Sequence, residues 1–176
     1  GVITGVKPGI GGSMKLLSRQ VAANQEGVYF LTQITDEYQE YVVKWISLHP
    51  VNDGAGGVTL YVSTDGGTNW SNTNITSTFY VGSHAENNSE VEFAMYTSYC
   101  QHQGSDGQTI QSNIGNADKE CGSGEYHLYN PASTTYVKNF WSVGNAWQSN
   151  NYVSNAFCAG YYNTCLLYTS PSPRDR

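Results

Sequence analysis

A close pairing of groups that could move a proton is His84 with Glu86, inside the polar segment GSHAENNSE that starts at Gly82. General acid–base chemistry needs a donor and an acceptor tuned by their neighbours, and a solvated loop explains this pair equally well. Asp53, Asp65 and Asp106 each stand beside a glycine, where a carboxylate accepts hydrogen bonds from local backbone N–H groups of a turn. A calcium site would require several such oxygens to converge. Gly-x-Ser-x-Gly, Walker and His-Glu-x-x-His patterns are all missing from the sequence. No catalytic residue is assigned, and the expectation is a protein that is not an enzyme.

Cys100, Cys121, Cys158 and Cys165 have neither Cys-x-x-Cys spacing nor histidines at zinc-site intervals, so no metal ion and no cofactor are expected. Cys100 and Cys121 flank a segment rich in Gly, Ser and Asn and are a candidate disulfide. Such a bridge would stabilise by about 3 kcal/mol through restriction of the unfolded chain. Idle thiols are the plainer reading of all four. Trp70, Tyr99, Trp147 and Tyr152 fall at or near the ends of expected strands, where an aromatic ring can stack on a sugar. They are the glycan-contact candidates, with core or rim packing as the alternative for each.

Composition narrows the classes further. The chain has 176 residues, only 12% of them charged, with 19 Gly and 14 Tyr, a mixture that favours strands and turns over long helices. The formal charge is −6 and the eight Lys and Arg are scattered. A nucleic-acid groove needs a basic stripe to offset phosphate charge, so nucleic acid is set aside as a partner. No apolar run approaches the roughly 20 residues of a membrane-spanning helix, and no signal peptide is read, so no membrane partner is expected.

The elements that must position these residues read as short strands. The clearest is a hairpin in GEYHLYNPASTTYVKNFWSV, from Gly124 to Val143, where Tyr126, Leu128 and Tyr129 precede a turn at Asn130, Pro131 and Ser133, and Tyr136, Val137, Phe140 and Trp141 follow it. Further strands are expected over Met14 to Ala22, Gly27 to Ile34, Glu40 to His49, Val58 to Ser63, Ile75 to Val81, Glu90 to Cys100, Thr109 to Ile114 and Tyr152 to Tyr162. In the Glu40 strand, Val42, Ile46 and Leu48 share a face with Lys44. In the Glu90 strand, Val91, Phe93, Met95 and Tyr99 alternate. Residues 1–13, with five glycines and a proline, predict a flexible lead-in, and 14–164 a single domain. Many short strands at regular spacing predict an all-β fold, an antiparallel β-sandwich of jelly-roll-like form.

Two resemblances add to this. Ser63, Asp65, Gly67 and Trp70 in STDGGTNW carry the Ser-x-Asp-x-Gly-x-x-Trp spacing and resemble the Asp-box of sialidases and other β-proteins. That resemblance implies a structural hairpin turn away from any active site. MKLLSRQVA, DEYQEYVVKWISLHP, the STDGG turn, STFYVGSHAE, YNPASTTYVKNFWS and AGYYNT, in this order from Met14 to Thr164, resemble a family of small virion proteins of tailed phages, especially marine ones. The resemblance implies a structural or tail-associated component of the virion particle, in a homo-oligomer with other virion proteins around it and host-surface glycans as its outward contact. A free carbohydrate-binding, lectin-like sandwich is the alternative. Finally, CLLYTSPSPRDR, Cys165 to Arg176, changes character abruptly and resembles a translated sequencing-library adapter. The expectation is read-through, a metagenomic fragment whose sandwich is truncated at its C-terminal strands.

Overall fold

A computed structural model describes residues 2–6, 14–23, 27–52, 56–70 and 74–164. The strands are β1 (Val2–Val6), β2 (Met14–Arg19), β3 (Glu40–Leu48), β4 (Gly56–Leu60), β5 (Ile75–Ala85), β6 (Val91–Met95), β7 (His102–Gly104), β8 (Gln108–Ile114), β9 (Gly122–Tyr129), β10 (Lys138–Trp147) and β11 (Tyr152–Tyr162). A 3-10 turn at Thr97–Tyr99 is the one helical element among the described residues. All pairings are antiparallel. A large sheet runs β2-β1-β3-β9-β10-β11-β5-β6, with β7 also on β5, and a small sheet pairs β4 with β8. The fold is an antiparallel β-sandwich. A jelly roll divides eight strands between two sheets, whereas the described strands divide nine to two.

Period-2 alternation decides which residues enter the core. Tyr126 and Leu128 of β9, Phe140 of β10, Ala156, Cys158 and Tyr162 of β11, and Ile75, Phe79 and Val81 of β5 point to one face and are buried. Over that face lies β8, with Gln108, Ile110, Gln111 and Ile114 almost fully buried. Trp45 of β3 joins the same cluster because Gly124 and Gly144, directly opposite each other on β9 and β10, leave room for its indole. A Cβ on Gly124 would stand 2.3 Å from the Trp45 ring and 2.5 Å from the Val143 carbonyl oxygen. Burial of the Tyr126–Tyr162 hydroxyl pair, at 3.1 Å, pushes both phenols well above their usual range.

The hairpin of β9 and β10 forms, with Phe140 opposite Leu128 and Asn130 at φ 48 in the turn, but β10 starts at Lys138, so Tyr136 and Val137, read as strand residues, belong to the connection and stand exposed. β8, β11 and β3 also fall where alternation placed them. Several expectations are corrected. Val2–Val6, read as part of a flexible lead-in, is a strand inserted between β2 and β3, and residues 7–13 lie outside the described set. Gly27 to Ile34 is not a strand: Phe30 and Ile34 instead pack as irregular chain on Tyr38 and Tyr41. In β3 a register break between Trp45 and Leu48, with Ser47 at φ 51, is a β-bulge that turns Leu48 towards the core and leaves Ile46 out in solvent. The STDGG turn joins no hairpin, because β4 pairs with β8 and β5 with β11, β6 and β7. The Glu90–Cys100 strand stops at Met95, and the chain turns so that Tyr99 packs on Phe79. Cys100 and Cys121 are both free, so no bridge joins them. Expectations for Asp53 and for residues 165–176, including Cys165, fall outside the described residues.

Candidate functional site on the outer sheet face

The opposite face of the large sheet is built from the other parity of the same strands. Register places Val42, His127, Trp141, Ala159 and Thr78 in one row across β3, β9, β10, β11 and β5. The next row holds Lys44, Glu125, Val143, Phe157, Tyr80 and, on β6, Met95. Beyond it, Asn145, Asn155, Gly82 and Phe93 align, followed by Trp147, Val153, His84 and Val91.

On the β3–β9–β10 side this face is polar and internally paired. His127 Nδ1 lies 2.7 Å from Glu40 Oε1, and His127 Nε2 stands in ionic contact with Glu125 Oε1 at 3.3 Å, outside hydrogen-bond geometry. Lys44 Nζ meets Glu125 Oε2 at 3.0 Å and holds that carboxyl below its usual range, with His127 adding to the effect against partial burial. The imidazole stacks on the Trp141 indole at 4.2 Å with 9° between the planes, and Trp141 Nε1 donates to the Tyr129 hydroxyl at 2.7 Å. The two carboxylates occupy opposite ring nitrogens of His127, so they orient the imidazole and do not converge on one metal ion. Among the described residues no group of three or more His, Cys, Asp or Glu is placed to hold a metal.

The β11–β5–β6 side is largely apolar and exposed, with Thr78, His84 and Asn155 as its polar members. Val91 is 71% exposed, Phe93 75% and Phe157 47%, with Met95 and Val153 also exposed, and Tyr80 stacks on Phe93 at 6.1 Å. Phe93 leans over Gly82, where a Cβ would be 3.5 Å from its ring.

The four glycan-contact candidates do not form one platform. Trp70 follows the Asp65 turn and is tilted against Tyr29 at 5.7 Å. Tyr99 is held edge-on to Phe79 at 5.2 Å and stacks with Tyr96, so it packs on the core. Trp147 and Tyr152 flank the β10–β11 turn at the far end of β5 from Trp70, and the Tyr152 hydroxyl donates to Glu90. His84 lies inside β5 rather than on a loop, with Nδ1 2.6 Å from its neighbour's Ala85 carbonyl oxygen, while the Glu86 N–H donates to the Asn151 carbonyl. Two acid–imidazole contacts form instead at His127: Glu125 lies two positions away, a spacing as local as His84 and Glu86, whereas Glu40 lies 87 positions away. No local pattern could reveal the second, because sheet register alone brings Glu40 to His127.

Asp65 behaves as a turn carboxylate. Its Oδ1 accepts from the Asn69 N–H at 2.8 Å and from Ser63 Oγ at 2.7 Å, and Ser63 Oγ in turn accepts from the Gly67 N–H at 2.9 Å. These bonds, the Asn69 backbone first, lower its pKa from 3.8 to about 2. Cys158, within the core, is pushed up to about 12 by burial, with nearby Cys100 adding to it. Comparison of the chain with protein-family models, with curated proteins and with solved structures finds no match.

Proposed function

We propose that the chain is a non-enzymatic structural component of a tailed-phage virion, displayed on the tail or particle exterior, assembled with copies of itself and in contact with the host surface. The ordered motifs from Met14 to Thr164 support the virion assignment. The observation that carries the assembly reading is the largely apolar half of the outer face, where Val91, Phe93 and Met95 of β6 and Val153 and Phe157 of β11 lie exposed, with Tyr80, His84 and Asn155 among them. Exposed apolar patches of this kind mark interaction surfaces. A second copy suits it: the outward residues of these rows on β11, β5 and β6 include no carboxylate, so two acidic chains meet there without like-charge repulsion. Repetition on one particle then converts weak host contacts into avidity.

The test is peptide mass spectrometry of purified phage particles that carry the gene. Peptides from Met14 to Thr164 at an abundance comparable to other coat proteins are expected. Particles that yield their coat proteins but none of these peptides would end the virion reading. A carbohydrate-binding sandwich is the second reading, favoured by the solvent-exposed indole of Trp141 at the centre of the outer face.

A further inference from the structure

We infer that Trp141 is a stacking site for a neutral hexopyranose, seated in a slot floored by Ala159 and Thr78. The inference rests on the carbohydrate reading and gives it a location. Three features carry it.

Trp141 stands directly opposite His127, and the near-parallel rings show that the indole plane faces along the strand-to-strand direction. One ring face is therefore covered by imidazole. The other looks towards β11, where the residue in register is Ala159, an exposed methyl group, with Thr78 beyond it on β5. The rows on either side carry Tyr161 and Phe157 on β11, so the missing bulk at Ala159 makes a slot one row wide beside an indole that remains 36% exposed.

The ring is also held in place before any ligand arrives. Glu40 fixes His127, His127 backs the indole, and Tyr129 holds its Nε1. A preoriented aromatic loses little freedom on binding, which is the requirement for a weak, repeated contact. The C–H face of an all-equatorial pyranose matches such a surface, while its hydroxyls find the Tyr129 O–H, the exposed Asn139 amide two residues before Trp141 on β10, and the Thr78 hydroxyl.

Charge selects among ligands with a flat face. Glu40 and Glu125 stand behind the platform against the single ammonium of Lys44, and the whole chain is at −6. Sialylated sugars and the phosphates of a nucleic acid are repelled, which leaves neutral sugars, and among these the flat C–H face favours the all-equatorial gluco configuration.

The experiment titrates the full chain with chitotetraose and cellotetraose, reading tryptophan fluorescence and the indole N–H resonances. Saturable binding is expected with at least one of them. Trp141→Ala should weaken it about tenfold or more, and Ala159→Leu, which fills the slot from an exposed position and spares the core, should do the same. Trp70→Ala and Trp147→Ala should leave it unchanged. Binding that survives both Trp141→Ala and Ala159→Leu would overturn this site while keeping the carbohydrate reading. No binding of either sugar at millimolar concentration, or equal binding of a thymidine oligonucleotide, would overturn both.

Discussion

The two halves of the outer sheet face are made from neighbouring strands of one sheet, yet they are finished differently. Around β3 and β9, Lys44, Glu125, His127 and Glu40 satisfy one another and brace Trp141 and Tyr129. Around β11, β5 and β6, Phe157, Val153, Phe93 and Val91 stand exposed to solvent, with Tyr80 stacked on Phe93. A polar half needs nothing further. An apolar half lowers its free energy only when something covers it, so the difference separates the side proposed to meet a second copy from the side proposed to seat a small ligand.

Both halves depend on the inner face beneath them, and the largest effect is expected there. Phe140, buried between the Tyr126 and Tyr162 rings at 5.5 and 4.9 Å, should cost about 3–5 kcal/mol of stability on replacement by Ala, read by urea unfolding. A loss below about 1 kcal/mol would mean that the sandwich does not pack around β10.

Next comes the apolar half. Phe93→Glu should abolish concentration-dependent sedimentation while changing stability by no more than about 0.5 kcal/mol, since the side chain is exposed. Ammonium sulfate should strengthen the association of the unmodified chain. A clean monomer across micromolar concentrations would remove the contrast between the halves.

A smaller effect belongs to the polar half. Lys44→Ala should cost at most about 0.5 kcal/mol, because both partners are partly exposed, and the loss should fade in high salt. Salt would thus move the two halves in opposite directions. The smallest change is expected at the Asp65 turn, which lies outside both. Its carboxyl has a folded pKa of about 2 against 3.8, so its contribution is complete above the higher value and is lost as pH falls towards the lower. Carboxyl NMR titration should show the low value, and Asp65→Asn should remove that part of the acid dependence. An ordinary titration near 3.8 would show that the turn bonds do not hold in solution.

Much of the fold was legible because β-strands write their geometry locally. Alternation around Asn130–Pro131 located β9 and β10, and the run from Tyr152 to Tyr162 gave β11 without error at either end. Gly27–Ile34 misled because apolar residues at even spacing also serve irregular chain that packs on Tyr38 and Tyr41. Little of the candidate site was legible. Trp70, Tyr99, Trp147 and Tyr152 were singled out for lying near strand ends, whereas Trp141 sits in mid-strand and its importance comes from the neighbours it acquires across the sheet.

By itself the sequence determined the all-β class, most of the strands and the turn role of Asp65, whose bonds to Ser63 and Asn69 span only local chain. Only the tertiary structure decided which parity of each strand is interior. The alternating residues Val91, Phe93 and Met95 have the pattern of a buried face and stand outside. Alternation is symmetric between the two faces of a sheet, and what breaks the symmetry is the second sheet: β8 lies over one side, leaving the other to expose Trp141 and the apolar rows of β6.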